Sequence, residues 1–316
     1  MTEHRITSEF TIDQVKEIEC LLPAASQISL GEQLDGETIE AIDRLCPDWI
    51  SSDMIDGLNR LLQIGSTGKP YVYPLDPEPV SLVHFPVEGK APFVLICAGG
   101  AYCSVAAAVE AFPLAARLNQ LGYHTFSLKY RTGRENLQTA PMEDLRNAVR
   151  YIHDHAQELQ VDVRGYAVCG MSAGGHLAGT LLAESFLDFY GDIPKPAAVF
   201  LGYPVVSMGK DTHPLSCRML LGEQLTDSMI QTYSIDKQIH DGTPPVYLWQ
   251  CREDAVVPFS NSWQLHKALE NNKISHCYRV FDGPAHGWGL GSGTEAQGWL
   301  DEAVAFWKKH RFTNGA

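Results

Sequence analysis

Tyr166-Ala167-Val168-Cys169-Gly170-Met171-Ser172-Ala173-Gly174-Gly175-His176-Leu177-Ala178-Gly179-Thr180-Leu181-Leu182 is the stretch whose reading decides the fold. Its apolar start, Tyr166 to Cys169, reads as a buried strand. Gly-x-Ser-x-Gly-Gly follows directly, and His176 to Leu182 reads as a helix packed back on that strand. A strand, a sharp turn with Ser at its tip and a helix make the context of a nucleophile elbow. Such a turn strains the serine backbone, and Gly170 and Gly174 relieve the crowding around it. The helix N-terminus directs partial positive charge to the same point, where an oxyanion would develop. Gly-x-Ser-x-Gly alone is a weak signal. The rest of the chain must supply partners.

With 316 residues there is room for one large α/β domain or two small ones. The formal net charge of −14 argues against nucleic acid and against an anionic membrane surface as partners. Ordinary solubility accounts for that charge. None of the eight cysteines makes a Cys-x-x-Cys pair or a zinc spacing, so no metal site is expected from them. Cys97, Cys169 and Cys251 sit in apolar runs, and scattered free thiols suit a reducing compartment. Met1-Thr2-Glu3-His4-Arg5 lacks a basic region with an apolar core behind it. No run approaches the ~18 apolar residues of a membrane span. A soluble cytoplasmic protein is expected.

Residues 1–70 differ in pattern from the remainder of the chain. Thr11-Ile12-Asp13-Gln14 is a capping-box pattern, with Val15, Ile18 and Leu22 on one helix face. Ile39, Ile42 and Leu45 suggest a second helix. A third is expected from Ser52, with Ile55, Leu58 and Leu62 inside. This reads as a helical N-terminal extension packed on a main domain of residues 71–316. It could wall the site, but plain packing is the stronger reading. From Tyr71 onward, strand-like runs alternate with helical ones. The runs are 80–87, 93–97, 124–130, 166–169, 197–205, 245–251 and 276–281. Helical patterns begin near Leu114, Leu145 and Trp299, the last expected to be capped by Thr294 with Gln297. That alternation predicts an α/β fold: a doubly wound, mostly parallel sheet with helices on both faces. Residues 207–240 are irregular and could cover the site.

A serine hydroxyl needs a base, and the base needs an orienting acid. In doubly wound hydrolases the order along the chain is Ser, then Asp or Glu, then His, each on a loop at a strand's carboxyl end. Asp254 lies just past the 245–251 run in Asp-x-x-Val-Pro, with Glu253 as the neighbouring alternative. His286 lies past the last strand in Ala285-His286-Gly287-Trp288-Gly289-Leu290. His176 reads as a packing or hydrogen-bonding residue. His153 and His155 are two apart and make no metal pair. The oxyanion donors are assigned to the N–H groups of Ala173, Gly100 and Ala101, the last two in Cys97-Ala98-Gly99-Gly100-Ala101-Tyr102. A phosphate loop there is disfavoured, because neither glycine-rich phosphate motif is present. Tyr102, Met171 and Trp288, beside these groups, are the candidate substrate-binding side chains.

Together these residues resemble the α/β-hydrolase fold, and within it the acetyl-esterase and acetyl-xylan-esterase-like branch, close to the hormone-sensitive-lipase-like esterases. Ala98 to Tyr102 is similar to that branch's Pro-Gly-Gly-Gly-Tyr, with Ala98 and Ala101 as departures. Tyr130-Arg131, the elbow through Ala178, Tyr203-Pro204-Val205 and Leu220-Leu221-Gly222 are also similar. So are Thr243-Pro244-Pro245, Asp254 to Pro258 with Asn261-Ser262, and His286 to Leu290. The resemblance covers about residues 80 to 310. It implies a serine carboxylesterase acting on short-chain esters, with acetyl groups on sugars or xylan fragments as the expected substrates. The substrate would be a small-molecule ester, and no cofactor would be needed. A prolyl-oligopeptidase-like peptidase and a non-catalytic ligand receptor on the same fold are the alternatives. The oligomeric state stays open, a homo-oligomer included.

Overall fold

Continuous apolar runs such as Phe93–Cys97 and Val246–Cys251 bury both faces, which requires a sheet covered on two sides. The computed structural model describes residues 5–311. Residues 1–4 and 312–316, at the outer ends of the two expected segments, lie outside the described residues. A short strand that no run announced, β1 (Val72–Pro74), comes first, and the seven runs become β2 (Ser81–Phe85), β3 (Ala91–Cys97), β4 (His124–Lys129), β5 (Val161–Met171), β6 (Ala198–Gly202), β7 (Val246–Cys251) and β8 (His276–Phe281). They form one sheet in the order β1-β2-β4-β3-β5-β6-β7-β8. Strand β2 is antiparallel to both β1 and β4. From β4 through β8 every pairing is parallel. The expected doubly wound sheet is present, with an antiparallel edge.

Five short helices precede the sheet: α1 (Ile12–Lys16), α2 (Ala25–Ile28), α3 (Glu32–Asp35), α4 (Ile39–Leu45) and α5 (Ser51–Gly65). Then come α6 (Ala107–Glu110), α7 (Phe112–Gln120), α8 (Ala140–Asp154) and α9 (Ser172–Gly179). The last four are α10 (Pro214–Leu221), α11 (Asp227–Tyr233), α12 (Ser260–Asn271) and α13 (Trp299–His310). The N-terminal helices share one apolar core with the sheet, burying Ile12, Val15, Ile39, Ile42, Met54, Leu58 and Leu61. Helix α5 approaches α7 closely. A Cβ on Gly57 would lie 2.7 Å from the Phe112 carbonyl carbon, so only glycine allows this contact. The Arg60 guanidinium ties α5 down by donating to Asn119 Oδ1 and to the Pro86 carbonyl.

The capping box at Thr11 is present, with both reciprocal bonds. Other N-terminal expectations need correction. The first helix stops at Lys16 and resumes as a 3-10 turn, Glu19–Ala24, around Pro23. That break turns Leu22 outward, where it is 55% exposed. Leu45, at the end of α4, is likewise on the surface. Helix α5 starts at Ser51 rather than after Ser52, because Asp43 takes both the Ser51 N–H and its hydroxyl. Met54, Leu58 and Leu61 are fully buried, and Ile55 and Leu62 are half-buried against the same core. Thr294 and Gln297 do not cap α13. They accept from Ala296 and Gly293 in a separate turn, and α13 begins after Gly298 at φ 91°.

Candidate active site

Ser172 sits where β5 ends and α9 begins, with φ 52°. A non-glycine residue in that region is strained, and the surroundings must hold it there. They do so through close packing. A Cβ on Gly174 would lie 2.1 Å from the Cys97 carbonyl oxygen, and one on Gly170 would lie 2.3 Å from that of Gly174. The strand-to-helix turn therefore closes only with glycine at both positions.

Asp254 follows β7 and His286 follows β8, at the same carboxyl end of the strands as Ser172. His286 Nδ1 is 2.8 Å from Asp254 Oδ2, and Nε2 is 2.8 Å from Ser172 Oγ. With Nδ1–H donating to the carboxylate, Nε2 is left to accept the serine proton. The Asp254 side chain is fully buried. Its Oδ1 accepts the Val256 and Val257 N–H groups, and Oδ2 also accepts Gln250 Nε2. These bonds stabilise the ionised carboxylate in a buried place. Glu253 is exposed, and its carboxylate makes no hydrogen bond among the described residues. The Tyr203 ring meets His286 edge-to-face, centroids 4.7 Å apart.

The loop after β3 lies against the elbow. Tyr130 Oη donates to the Ala98 carbonyl, and Arg131 beside it binds the fully buried Asp144 of α8. Gly100, Ala101 and Tyr102 all have positive φ: 122°, 55° and 61°. Among the described residues, the Gly100 and Ala101 N–H groups have no protein acceptor. The Ala173 N–H lies in the first turn of α9, whose donors have no intrahelical partner.

Two expected substrate contacts need correction. Tyr102 is fully buried, and its hydroxyl donates to His176 Nδ1 at 2.8 Å. It supports the loop from beneath. Met171 is also fully buried, with its side chain packed on Gly202. Trp288 is half-buried, two residues from His286. His176 is a hydrogen-bonding residue, as expected. Burial lowers its pKa to about 4, so the neutral ring donates from Nε2 to the Tyr233 carbonyl. His213, from the irregular 207–240 segment, was not anticipated. Burial and then the charge of nearby His286 lower its pKa.

Glu110 was missed. It is fully buried and accepts the Gly99 N–H at 2.5 Å and the Tyr203 hydroxyl at 2.9 Å. That hydroxyl in turn accepts the Gly289 N–H at 3.0 Å. One carboxyl thus links the loop after β3 to the loop carrying His286. Burial pushes its pKa up, and the charge of His286 with these bonds only partly offsets it. The signal was available: Glu110 is the lone acidic residue between Val105 and Leu118, and a carboxyl in so apolar a run must be buried and bonded. Glu110→Ala leaves the Gly99 N–H and the Tyr203 hydroxyl unpaired and opens a cavity. It is expected to lower stability by about 2–4 kcal/mol, and Glu110→Gln by less, in thermal or urea unfolding.

A cleft of about 1120 Å³ lies at the opposite end of the strands, lined by Tyr166, Ala197 and Pro245, away from Ser172. No described helix is long and apolar enough to cross a membrane.

The sequence model of the BD-FAE family matches residues 83–269, more than half of the chain. The chain belongs to the BD-FAE family. This BD-FAE chain is 36% identical over 220 residues to endo-1,4-beta-xylanase B of Butyrivibrio fibrisolvens, covering 66% of this chain and 34% of that protein. It is 26% identical over 216 residues to an acetylxylan esterase of Xylanibacter ruminicola, covering 67% of this chain and 44% of that protein. The chain therefore spans less than half the length of either curated relative. A solved structure of an acetyl ester-xyloside bifunctional hydrolase from Caldicellulosiruptor lactoaceticus matches with a TM-score of 0.66 at 27% identity. That match covers 75% of this chain and 90% of that one. The fold of this BD-FAE chain is that of the α/β-hydrolases.

Proposed function

We propose that this protein is a serine carboxylesterase, with Ser172 as nucleophile, His286 as base and Asp254 as orienting acid. The observation that carries this reading is the continuous chain from Ser172 Oγ through His286 to the buried Asp254 carboxylate, 2.8 Å at each link. Ser172 Oγ attacks the ester carbonyl while His286 Nε2 takes its proton. Asp254 stabilises the imidazolium that forms. The carbonyl oxygen becomes an oxyanion facing the N–H groups of Gly100, Ala101 and Ala173. Collapse breaks the C–O bond, and His286 gives its proton to the leaving alcohol. Water, deprotonated by the same ring, then splits the acyl-serine into acid and free enzyme. This mechanism needs no cofactor.

The substrate class proposed is short-chain esters, with acetyl groups on sugars or xylan fragments foremost. The xylan-linked names of the two curated relatives and of the solved structure favour it. We also divide the chain at about residue 70, into a helical extension and the catalytic domain. A panel of p-nitrophenyl acetate, butyrate and octanoate, with acetate release from acetylated xylo-oligosaccharides, tests the proposal. Turnover of acetate esters above octanoate is expected, with acetate released from the oligosaccharides. Hydrolysis of none of them would contradict it. Asp254→Asn should lower kcat by about 10⁴-fold in the same assay, because the imidazole loses its orienting acceptor.

A further inference from the structure

The loop that carries His286 is rich in glycine. Gly287, Gly289 and Gly291 have φ of 99°, 57° and 76°, three left-handed glycines in five residues. Glycine-rich backbone loses much entropy when it is fixed, so the ring position depends on ties from outside. Gly289 is tied from below by Tyr203. The Trp299 indole N–H donates to the Gly289 carbonyl, and the Gly283 and Pro284 carbonyls accept the Glu253 and Ala255 N–H groups. Two further ties come from the far end of the chain. Asp48 Oδ2 accepts the His286 backbone N–H at 3.1 Å, and Asp53 Oδ2 accepts that of Ser292 at 3.2 Å. Between them the Trp49 indole covers Gly287, where a Cβ would lie 3.1 Å from Trp49 Nε1.

These three residues are themselves fixed. The Trp49 N–H bonds to the Cys46 carbonyl, and Asp43 holds Ser51 at the start of α5. Helix α5 is locked on α7 at Gly57 and tied by Arg60. The BD-FAE match starts at residue 83, so the tie is made by residues outside it.

We infer that the N-terminal segment is a strap on the histidine loop, and that Asp48 is a positioning residue for His286. This rests on the esterase reading above. Asp48 touches no reacting atom. It acts by fixing the backbone from which the base reaches Ser172, and a shift of about 1 Å in such a group can cost about 100-fold in rate.

The test compares wild type, Asp48→Ala, Asp48→Asn and Trp49→Ala on p-nitrophenyl acetate, with thermal melts to establish folding at the assay temperature. Asp48→Ala is expected to lose about 10- to 100-fold in kcat with KM changed less than about threefold. Asp48→Asn keeps a carbonyl acceptor and should recover to within about threefold of wild type. A structural role alone would lower the melting temperature and leave kcat unchanged. Wild-type kcat in folded Asp48→Ala, or an equal loss in Asp48→Asn, overturns the inference. If Asp48→Ala melts below the assay temperature, Trp49→Ala decides: a kcat loss supports the strap and wild-type kcat overturns it. No hydrolysis by the wild type would instead be a failure of the esterase reading.

Discussion

Ser172→Ala is expected to lower kcat on p-nitrophenyl acetate by about 10⁶-fold, with His286→Ala nearly as damaging and the double variant no worse than either. The reason lies in the geometry. Ser172 Oγ has one base within reach, and that base has its other nitrogen committed to Asp254. Remove the hydroxyl and no acyl-enzyme forms. Remove the ring and the hydroxyl keeps its proton at neutral pH. Either loss leaves only binding and the free N–H groups, so the effects overlap instead of adding. Steady-state kinetics on the three variants checks this. An additive double variant would mean that the two residues serve separate steps.

Gly99→Ala is expected to cost about 10³-fold in kcat and about 1–3 kcal/mol of stability. The added methyl would sit 2.6 Å from Glu110 Oε2, 2.7 Å from Ser172 Cβ and 3.0 Å from the Met171 carbonyl oxygen. None of these can give way cheaply. Glu110 is held by the Gly99 N–H itself and by Tyr203, and Ser172 is fixed in the strained elbow. The loop must move away, carrying the Gly100 and Ala101 donors with it. Losing one such donor typically costs about 10²- to 10³-fold, and here two shift together. Folded protein with wild-type kcat would show that the loop does not stabilise charge in the transition state.

The sheet was legible because its signals are local. Each apolar run carries its own strand, and the alternation with helices sets the winding. The elbow was legible for the same reason, since Gly170, Ser172 and Gly174 act within a few residues of one another. Order along the chain and loop position singled out Asp254 and His286, whose side chains meet each other and Ser172. What stayed hidden is long-range. Glu110 meets Tyr203 across 93 residues, and Asp48 meets His286 across 238. Nothing in either neighbourhood names the partner. Tyr102 and Met171 failed as substrate contacts for a different reason. Closeness in sequence to the loop and to Ser172 says nothing about side-chain direction, and both point into the core. The first helix was misjudged because it stops at Lys16 and Ile18 is extended, so Leu22 belongs to a separate 3-10 turn and leaves the face that Val15 marks.

The central claim is that Ser172 is the activated nucleophile of a Ser-His-Asp relay. A fluorophosphonate that reacts only with activated serines tests it most directly, read by intact mass and peptide mapping. The account predicts a single adduct on Ser172, formed rapidly by wild type, absent in Ser172→Ala and strongly slowed in His286→Ala. An adduct on another serine, or equal labelling of wild type and His286→Ala, would contradict it.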